Sequence, residues 1–364
     1  MKIAINAPRV SYYYGGAERY ILNMAFALQK INKKVHLISY DSPKKTKWFI
    51  EFKKKFKGKI ILLKSKEFDK NFYKFKNATK PHMWDLESKL FSKITKEYYK
   101  NNKFDIISLH YTFDCFGIPQ KQKTCLHLHG VPLKIREVDK KAVKIPSKII
   151  AVSKYVLNGW KEVIPTKKNV FIIHNGITKL KNKNSNKSND IVFFGRLIKT
   201  KGVDLLIKSI KENKKLFNDI SIKIIGEGPE KENLKRLTKK LNLNKNIKFL
   251  GYVPDSKLYD LIEMSRISVF PSYKKEGVMT ALLESAMLKS PILASKSCSN
   301  EEFILDGFNG ILFKPKDISD LSKKIEILLL NLDLQKKLTK KAYKNVKNWV
   351  WKNQVRKILD AYGK

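Results

Sequence analysis

Residues 267–288 read ISVFPSYKKEGVMTALLESAML and carry the strongest fold signal in the chain. The apolar run 267–270 predicts a buried strand, and residues 281–288 have good helix-forming composition. In an open α/β sheet, ligands bind beyond the carboxyl ends of such strands. Glu276 in the loop and Glu284 on the helix are therefore placed to bind a sugar nucleotide. The alternative is that they are a first-turn acid and an exposed helix residue.

The same alternation of strand and helix extends through the whole chain. Apolar runs typical of buried strands lie at 3–5, 35–38, 60–63, 105–109, 125–128, 148–152, 191–194, 222–225, 247–250, 292–294 and 311–313. Strands that alternate with helices predict parallel sheets built from βαβ units. At 364 residues the chain exceeds one hydrophobic core, so we expect an α/β fold with two domains.

A polar run at residues 181–189, KNKNSNKSN, marks the domain linker or lies just beyond it. No stretch of about 18 apolar residues occurs, and the N-terminal strand is too short for the apolar region of a signal peptide. The three cysteines, Cys115, Cys125 and Cys298, are widely spaced. They predict free thiols in a reducing compartment, and we expect a soluble, cytoplasmic protein.

The formal net charge of +43 raises the question of a nucleic-acid partner. Only seven of the 76 basic residues are arginines, and lysine is spread along the whole chain. Proteins that recognise base edges and phosphates favour arginine. The sequence has no arginine cluster, zinc spacing or RNP-like motif. No nucleic-acid partner is therefore expected.

Residues 44–103, called the basic aromatic region below, hold nineteen lysines against six acidic residues, with aromatic residues interleaved. This composition favours a surface that meets anionic lipid or an anionic acceptor. The alternative is a solvated basic face above ordinary core aromatics.

Glycines and cations follow several of the predicted strands. Gly15 and Gly16 precede the first amphipathic helix, either as an ordinary turn or to let backbone N–H groups approach a phosphate. Gly195 and Arg196 follow the strand at 191–194, and Lys201 begins the next helix. An arginine and a lysine on one strand-to-helix loop can neutralise a diphosphate leaving group.

Two further strand ends allow structural and functional interpretations. Gly226 opens a Gly-Glu-Gly-Pro turn that needs no ligand to explain it. Val253 lies where it could frame a purine or pyrimidine ring, and Asp255 beside it is equally suited to cap a helix.

Together these segments resemble the family 4 retaining glycosyltransferases, the glycosyl transferases group 1. The resemblance rests on GGAERY, FFGRLIKTKGVDLLIKSI, IIGEGPEKENLKRL, FLGYVPDSKLYDLIEMS, VFPSYKKEGVMTALLESAM and EEFILDGFNGILF, which occur in the family's order and spacing. It implies the GT-B fold of two facing Rossmann-like domains. The implied domains are an acceptor-binding domain, residues 1–172 with a closing helix 350–364 that crosses back to it, and a donor-binding domain, residues 173–349.

The resemblance also implies a role for individual residues. Arg196 and Lys201 would hold the diphosphate, Glu284 the ribose and Glu276 the donor sugar, while His129 would lie near that sugar. The implied catalytic set is His129, Arg196, Lys201 and Glu276. The implied donor-binding set is Gly15, Gly16, Gly195, Arg196, Lys201, Gly226, Val253, Glu276, Gly277, Val278, Met279, Thr280 and Glu284.

Two departures from the family pattern concern recognition of the donor sugar. Ser297-Cys298-Ser299-Asn300-Glu301-Glu302 stands where many relatives carry a Gly-Gly-x-Pro-Glu turn, and only the last acid matches. Val278 and Met279 replace the Phe-Gly that often follows the first Glu-Gly. The diphosphate site is unaffected by either change.

The function expected from the resemblance is transfer of a sugar from a UDP-sugar or GDP-sugar to a glycan or lipid-linked acceptor, with retention of configuration. No metal or cofactor is expected, and peripheral binding at the inner face of the membrane is compatible with the basic aromatic region. A nicotinamide enzyme would need a GxGxxG turn that neither half provides. The remaining alternative is a non-catalytic basic protein that binds membrane or nucleic acid on a GT-B-like scaffold.

Overall fold

The structure is a computed structural model that describes residues 1–76, 81–132, 134–183, 185–188, 190–212, 220–274 and 279–363. The chain divides into two compact units. The first comprises Met1–Gly176 and Trp351–Lys364, and the second comprises Ile177–Val350. The polar run at 181–189 therefore lies just inside the second unit rather than at the division.

The first unit is built on a sheet that has seven strands among the described residues, in the order β3-β2-β1-β4-β5-β6-β7. Its strands are β1 (Lys2–Asn6), β2 (Lys34–Tyr40), β3 (Lys59–Leu63), β4 (Ile106–Leu109), β5 (Thr124–Leu128), β6 (Lys148–Ala151) and β7 (Asn169–Ile172). Every described pairing is parallel, with Ile3 opposite Val35 and opposite Ile106.

Helices cover this sheet because each has one apolar face. In α1 (Gly16–Lys30), for example, Ile21, Met24, Ala25 and Leu28 recur at helical spacing and are buried. The other helices of the first unit are α2 (Lys47–Lys55), α3 (Lys66–Lys76), α4 (Pro81–Asn101), α5 (Glu137–Ala142), α6 (Lys154–Trp160) and the closing helix α13 (Trp351–Gly363).

The second unit contains a parallel sheet with six described strands in the order β10-β9-β8-β11-β12-β13. Its strands are β8 (Asp190–Phe194), β9 (Ser221–Ile225), β10 (Ile247–Gly251), β11 (Ile267–Phe270), β12 (Ile292–Ser295) and β13 (Ile311–Phe313). Its helices are α7 (Val203–Glu212), α8 (Lys231–Lys240), α9 (Asp255–Met264), α10 (Thr280–Met287), α11 (Ile318–Leu330) and α12 (Leu332–Val346).

Strand alternation explains why both faces of the second sheet are covered. In β8, Ile191 and Phe193 pack into one apolar cluster, while Val192 and Phe194 pack into another. A strand with side chains buried on both faces reads as a continuous apolar run, as the sequence does here. The predicted α/β fold with two parallel-sheet domains is confirmed.

The closing helix belongs to the first unit through its apolar face. Trp351, Val355, Ile358 and Tyr362 are buried with the core of that unit. Gly176, the last residue before the second unit, lies so close to the indole that a Cβ there would be 2.5 Å from Trp351. No helix in the described ranges is both long enough and apolar enough to cross a membrane.

Candidate active site

Each sheet reverses its strand order at one point, and several candidate residues follow the strands that border it. In the first unit the reversal falls between β1 and β4, and in the second it falls between β8 and β11. The loops that leave such a pair of strands diverge to opposite faces of the sheet and open a crevice in which ligands bind.

Glycine backbones form the edge of the second sheet. Gly195 and Gly226 have φ of 153° and 134°, a region that side chains disfavour. Gly226 N donates to Gly251 O at 2.8 Å, and Gly195 N donates to Ile225 O at 3.0 Å. A Cβ on Gly226 would lie 1.9 Å from Gly195 O. The backbone of Gly195 therefore leaves no room for a side chain at Gly226, and the positive φ favours glycine at both positions.

The turn that carries Lys201 lies against the loop that follows β11. A Cβ on Gly202, where φ is 67°, would lie 2.2 Å from Pro271 O. Tyr273 N donates to Thr200 O at 3.1 Å, and Lys201 Nζ lies 3.4 Å from Met279 Sδ. Because Met279 is the N-cap of α10, the ammonium group of Lys201 lies at the N-terminus of that helix.

This end of α10 combines several features of an anion site. Its cap makes no side-chain hydrogen bond, and no acidic residue occupies its first turn. Thr280 is half-buried there, and Arg196 is exposed directly after β8. Glu284 lies farther along α10 and is buried. The N-terminus of α10, with its helix dipole, and the ammonium group of Lys201 therefore lie together, and Arg196 lies on the loop that leaves β8.

Three of the predicted donor-binding residues lie outside the described residues: Glu276, Gly277 and Val278. Val253 is buried among apolar residues that include Ile225 and Met279. Helix α9 begins at Asp255 with Pro254 as its N-cap, so Asp255 is not the capping residue.

The replaced Gly-Gly turn takes a conformation that suits glycine. Cys298 has φ of 58°, in the left-handed region, and is half-buried. Asn300 secures the turn by donating from Nδ2 to Ser295 O at 2.9 Å. Cys298 therefore adopts a backbone conformation that glycine takes more easily.

In the first unit, Gly15 is the N-cap of α1. Its N–H donates to Glu18 Oε2 at 3.0 Å, and Glu18 Oε1 accepts a hydrogen bond from the Tyr111 hydroxyl. The Gly15 amide is thus already engaged in the capping box. Gly16, the first helical residue, has room for a Cβ without any contact within 4 Å among the described atoms.

His129 follows β5 and lies beside His110, which follows β4. His110 Nδ1 and His129 Nε2 are 2.9 Å apart, and the two rings stack with an interplanar angle of 19°. Tyr20 of α1 packs edge-on against His129. Burial lowers the pKa of His129 to about 4 and lowers that of His110 as well. Both rings are neutral near pH 7.

His127 lies inside the sheet, fully buried, between the Tyr20 and Tyr362 hydroxyls at 3.1 and 3.0 Å. Residues two apart in a strand share a face, so alternation predicts His127 on the same face as His129, one layer further inside the sheet. His110 was not singled out from the sequence, where its position directly after an apolar run was the available signal.

The first unit also contains a buried ion pair near the end of β1. Arg9 Nε lies 3.0 Å from Glu87 Oε1, and Glu87 accepts a hydrogen bond from the Tyr12 hydroxyl. Burial outweighs the attraction of Arg9 and raises the pKa of Glu87 to about 7. Glu87 comes from α4, far from Arg9 in sequence, so no local pattern indicates the pair.

In the basic aromatic region, the structure separates the aromatic residues from the charges. The interleaved phenylalanines are buried in the core: Phe49, Phe52, Phe56, Phe68 and Phe72. Lysines 53, 54 and 55 are exposed. Trp48, half-buried, stacks on Tyr14 with ring centroids 4.2 Å apart, which places an aromatic pair beside Gly15.

Two family models match the chain. The model described as Glycosyltransferase Family 4 matches residues 14–179, and the model described as Glycosyl transferases group 1 matches residues 176–345. An uncharacterized glycosyltransferase of Methanocaldococcus jannaschii is 28% identical over 375 residues, which cover 98% of this chain and 96% of that protein.

Solved structures agree along the whole chain. A variant of TarM from S. aureus, in complex with UDP, fondaparinux and alpha-GlcNAc-glycerol, has a TM-score of 0.82 at 14% identity and covers 100% of both chains. HepE of Anabaena, in complex with UDP and glucose, has a TM-score of 0.79 at 16% identity, covering 100% of this chain and 99% of its own. The expected GT-B fold class is confirmed by these neighbours.

Proposed function

We propose a donor, an acceptor class and a stereochemical course for this chain, which belongs to glycosyltransferase family 4 and carries both of that family's domains. The chain is a glycosyltransferase. We propose that it transfers a sugar from a nucleoside-diphosphate sugar to a glycan or lipid-linked acceptor with retention of configuration, in the synthesis of a cell-surface polysaccharide or glycolipid.

The observation that carries the donor assignment is the position of Lys201. Its Nζ lies 3.4 Å from the sulfur of the residue that caps α10, on a loop shared with Arg196. A diphosphate bound there would meet two cations and the free N–H groups of a helix N-terminus. We assign the ribose to Glu284 and the base to the surroundings of Val253. The donor sugar is assigned to Glu276, and the backbone amides around Val278, Met279 and Thr280 are assigned to the phosphates.

The proposed chemistry follows from the charge that develops. When the bond between the sugar and the diphosphate breaks, negative charge grows on the leaving phosphate. Arg196, Lys201 and the α10 N–H groups would stabilise that charge without a metal ion. The backbone edge formed by Gly195 and Gly226 would hold these groups in place.

Retention is proposed to occur by attack of the acceptor on the same face that the diphosphate leaves. The leaving phosphate oxygen would take the proton of the acceptor hydroxyl, so no enzymatic nucleophile is required. The test is the anomeric configuration of the product by NMR. An inverted product would contradict this course.

We place the acceptor on the first unit, near Gly16. Tyr14 and Trp48 form a stacked pair there, and aromatic rings are suitable surfaces for the apolar faces of sugars. Trp48→Ala should raise the acceptor KM and leave the donor KM unchanged. Tyr73→Ala, which removes another exposed aromatic of the same region, is the matched control.

Donor class is tested first by thermal shift with UDP, GDP, ADP and their sugar conjugates, and with duplex DNA alongside. A ligand at 100 times its Kd stabilises the folded state by about 2.7 kcal/mol. The solved neighbours described above contain UDP, which supports a nucleoside-diphosphate sugar as the donor, and the assay distinguishes a UDP-sugar from a GDP-sugar. A shift with DNA and with no nucleotide would favour the non-catalytic alternative.

The decisive variant is Arg196→Ala. Loss of one group that stabilises the leaving charge should lower kcat by roughly 10² to 10³-fold. Arg236→Ala removes an exposed arginine on α8 that bonds Asn233, and it should leave kcat unchanged. Undiminished turnover in the Arg196 variant would overturn the donor assignment. Glu276→Ala tests the donor-sugar role in the same assay.

A membrane contact, if the acceptor is lipid-linked, would be electrostatic. Phe49, Phe52, Phe56, Phe68 and Phe72 of the basic aromatic region are buried, and Lys53, Lys54 and Lys55 are exposed. Lysines would therefore meet anionic headgroups at the inner membrane face. Flotation with anionic and neutral liposomes at two salt concentrations tests this. Absence of binding to anionic liposomes at low salt would contradict it.

A further inference from the structure

Two polar side chains of the second unit meet at one sulfur atom, the Sδ of Met279. Lys201, on the loop that leaves β8, donates from its Nζ to that sulfur at 3.4 Å. Ser272, on the loop that leaves β11, donates from its Oγ to the same sulfur at 3.5 Å. Met279 is buried and is the N-cap of α10. The thioether therefore lies between an ammonium group and a hydroxyl at the start of this helix.

Ser272 is anchored by the end of the neighbouring strand. Its carbonyl oxygen accepts a hydrogen bond from Ser295 Oγ, at the end of β12, and another from Ser297 Oγ at 2.7 Å. Ser272 and Ser295 are both buried. Met279 packs in the same apolar cluster as Val253. The sulfur is therefore restrained by apolar packing on its own side chain and by a hydroxyl that a second loop holds in place.

A thioether differs from the usual partner of a lysine in one important respect. Carboxylates pair with lysine and neutralise its charge, whereas a thioether sulfur is uncharged and accepts hydrogen bonds only weakly. The positive end of the α10 dipole also makes this position one where a cation gains most from a nearby anion. Contact with Met279 therefore orients the ammonium group of Lys201 without consuming its charge.

The contact belongs to this chain's own sequence. Met279 occupies a position at which the family pattern often has glycine, as noted above for the Phe-Gly that Val278 and Met279 replace. Glycine has no side chain with which to contact Lys201. The departure at this position therefore adds an interaction within the proposed diphosphate site.

We propose that Met279 is a positioning residue whose sulfur holds the Lys201 ammonium group at the N-terminus of α10 before the nucleoside-diphosphate sugar binds. When the diphosphate oxygens arrive, they replace the sulfur as the partner of the ammonium group. A lysine loses rotamer freedom when it becomes ordered, so a lysine already in place binds its ligand at a smaller entropic cost. This purpose rests on the proposed function, whereas the sulfur contact does not.

Met279→Leu tests the role of the sulfur, because leucine has similar volume and no acceptor atom. The variant should raise the donor KM on the order of fivefold to tenfold and leave kcat nearly unchanged, since both the bound state and the transition state need the ordered lysine. Met287→Leu makes the same exchange at a buried position of the same helix and should change neither constant. An unchanged donor KM in Met279→Leu, or an equal rise in both variants, would contradict the inference.

A second pair of variants tests whether the acceptor must be uncharged. Met279→Glu would pair a carboxylate with Lys201 and repel the diphosphate, so kcat/KM should fall at least as far as in Lys201→Ala. Met279→Gln keeps an uncharged acceptor, so its donor KM should stay closer to that of the wild type than the KM of Met279→Leu. Equal kinetics in the Glu and Gln variants would overturn the proposed role of the neutral acceptor.

Methyl NMR of protein labelled with ¹³C-methyl methionine detects the contact without an activity assay. The chain has six methionines, and the Met279 signal is the one that Met279→Leu or Met279→Gln removes. Lys201→Ala should shift that signal, because the sulfur loses its ammonium neighbour. Lys199→Ala, at an exposed lysine of the same turn, should not shift it. A Met279 signal that does not respond to Lys201→Ala would show that the contact is absent.

The spectrum and the kinetics distinguish this inference from the proposed function. If the Met279 signal responds to Lys201→Ala, but no nucleotide shifts it and no sugar is transferred, the proposed function is wrong and the contact stands. If sugar is transferred and Met279→Leu leaves the donor KM unchanged, the proposed function stands and the positioning role is wrong.

Discussion

The two points at which the sheets reverse their strand order differ in what forms them, backbone in one unit and side chains in the other. In the second unit, glycine backbones lie in contact, as at Gly195 and Gly226, and the cations Arg196 and Lys201 project from one loop. In the first unit, the edge rests on side chains that meet from α1, β4, β5 and α13. A backbone-built edge fixes where a charged ligand can lie. A side-chain-built edge depends on hydrogen bonds between residues of distant elements.

This difference predicts different kinds of failure. An added methyl group has no room where two backbones are in contact. Substitutions at the glycines of the second unit's sheet edge should therefore lower the stability of the fold. In the sheet edge of the first unit, exchanging one hydroxyl for hydrogen keeps the packing and removes a hydrogen bond. The following variants test the comparison in order of decreasing effect.

The largest effect is expected for Gly226→Ala. Its Cβ would lie 1.9 Å from Gly195 O, at a φ that alanine rarely adopts, so the free energy of unfolding should fall by on the order of 3 kcal/mol or more. Urea unfolding followed by circular dichroism measures this. Gly16→Ala, in a helix N-terminus with open space, is the control and should change stability by less than about 1 kcal/mol. Equal losses in both variants would contradict the comparison.

Lys201→Ala is expected to lower kcat/KM by roughly 10² with the fold intact, because it removes one cation from the proposed diphosphate site. Lys199→Ala is the matched control, since Lys199 is exposed in the same short turn. Steady-state kinetics with the donor identified by thermal shift gives the ratio. A loss of similar size in both variants would indicate a general charge effect instead of a site.

The histidines of the first edge predict a pH effect on stability. Burial lowers the pKa of His129 to about 4, so between about pH 4 and 6.5 the unfolded chain binds a proton that the folded chain does not. This contribution to the free energy of unfolding is fully present above that window and is lost as the pH falls through it. It amounts to on the order of 2 kcal/mol for a half-buried ring.

The check is urea unfolding at several pH values for wild type and His129→Gln. The variant should show a shallower fall in stability between about pH 6.5 and 4. His174→Gln, in the segment after β7, serves as the comparison. A slope unchanged by loss of His129 would mean that its pKa is not lowered in the folded state.

The smallest effect is expected for Cys298→Gly. Relief of the left-handed φ of 58° is worth about 1 to 2 kcal/mol, and the greater freedom of glycine in the unfolded chain offsets part of it. A net gain of roughly 0.5 kcal/mol should appear as a small rise in Tm. Ser297→Gly, at a neighbouring residue without positive φ, should not stabilise the protein.

The fold could be predicted from the sequence because its signals are local. A strand such as β8, covered on both faces, appears as an apolar run, and α1 shows its buried face by spacing alone. The loop that carries Arg196 and Lys201 could also be predicted, because it follows a recognisable strand. Glu276 lies outside the described residues, and its role stays a prediction.

Other features gave no local signal. The phenylalanines of the basic aromatic region look the same in sequence whether they meet lipid or fill a core. The structure buries Phe49, Phe52, Phe56, Phe68 and Phe72. His110 and Glu87 were not singled out because their partners, His129 and Arg9, lie on other elements. Interactions between distant elements have no period in the sequence.

The sequence by itself determined the two parallel sheets, the strand ends that carry glycine and charge, and the family to which the chain is similar, because neighbouring residues encode strands, helices and turns. Only the tertiary structure decided that Tyr20 and Tyr362 bracket His127, and that His110 meets His129 at 2.9 Å. The direction of a hydrogen bond depends on every polar group around it, and those groups come together only when the chain folds.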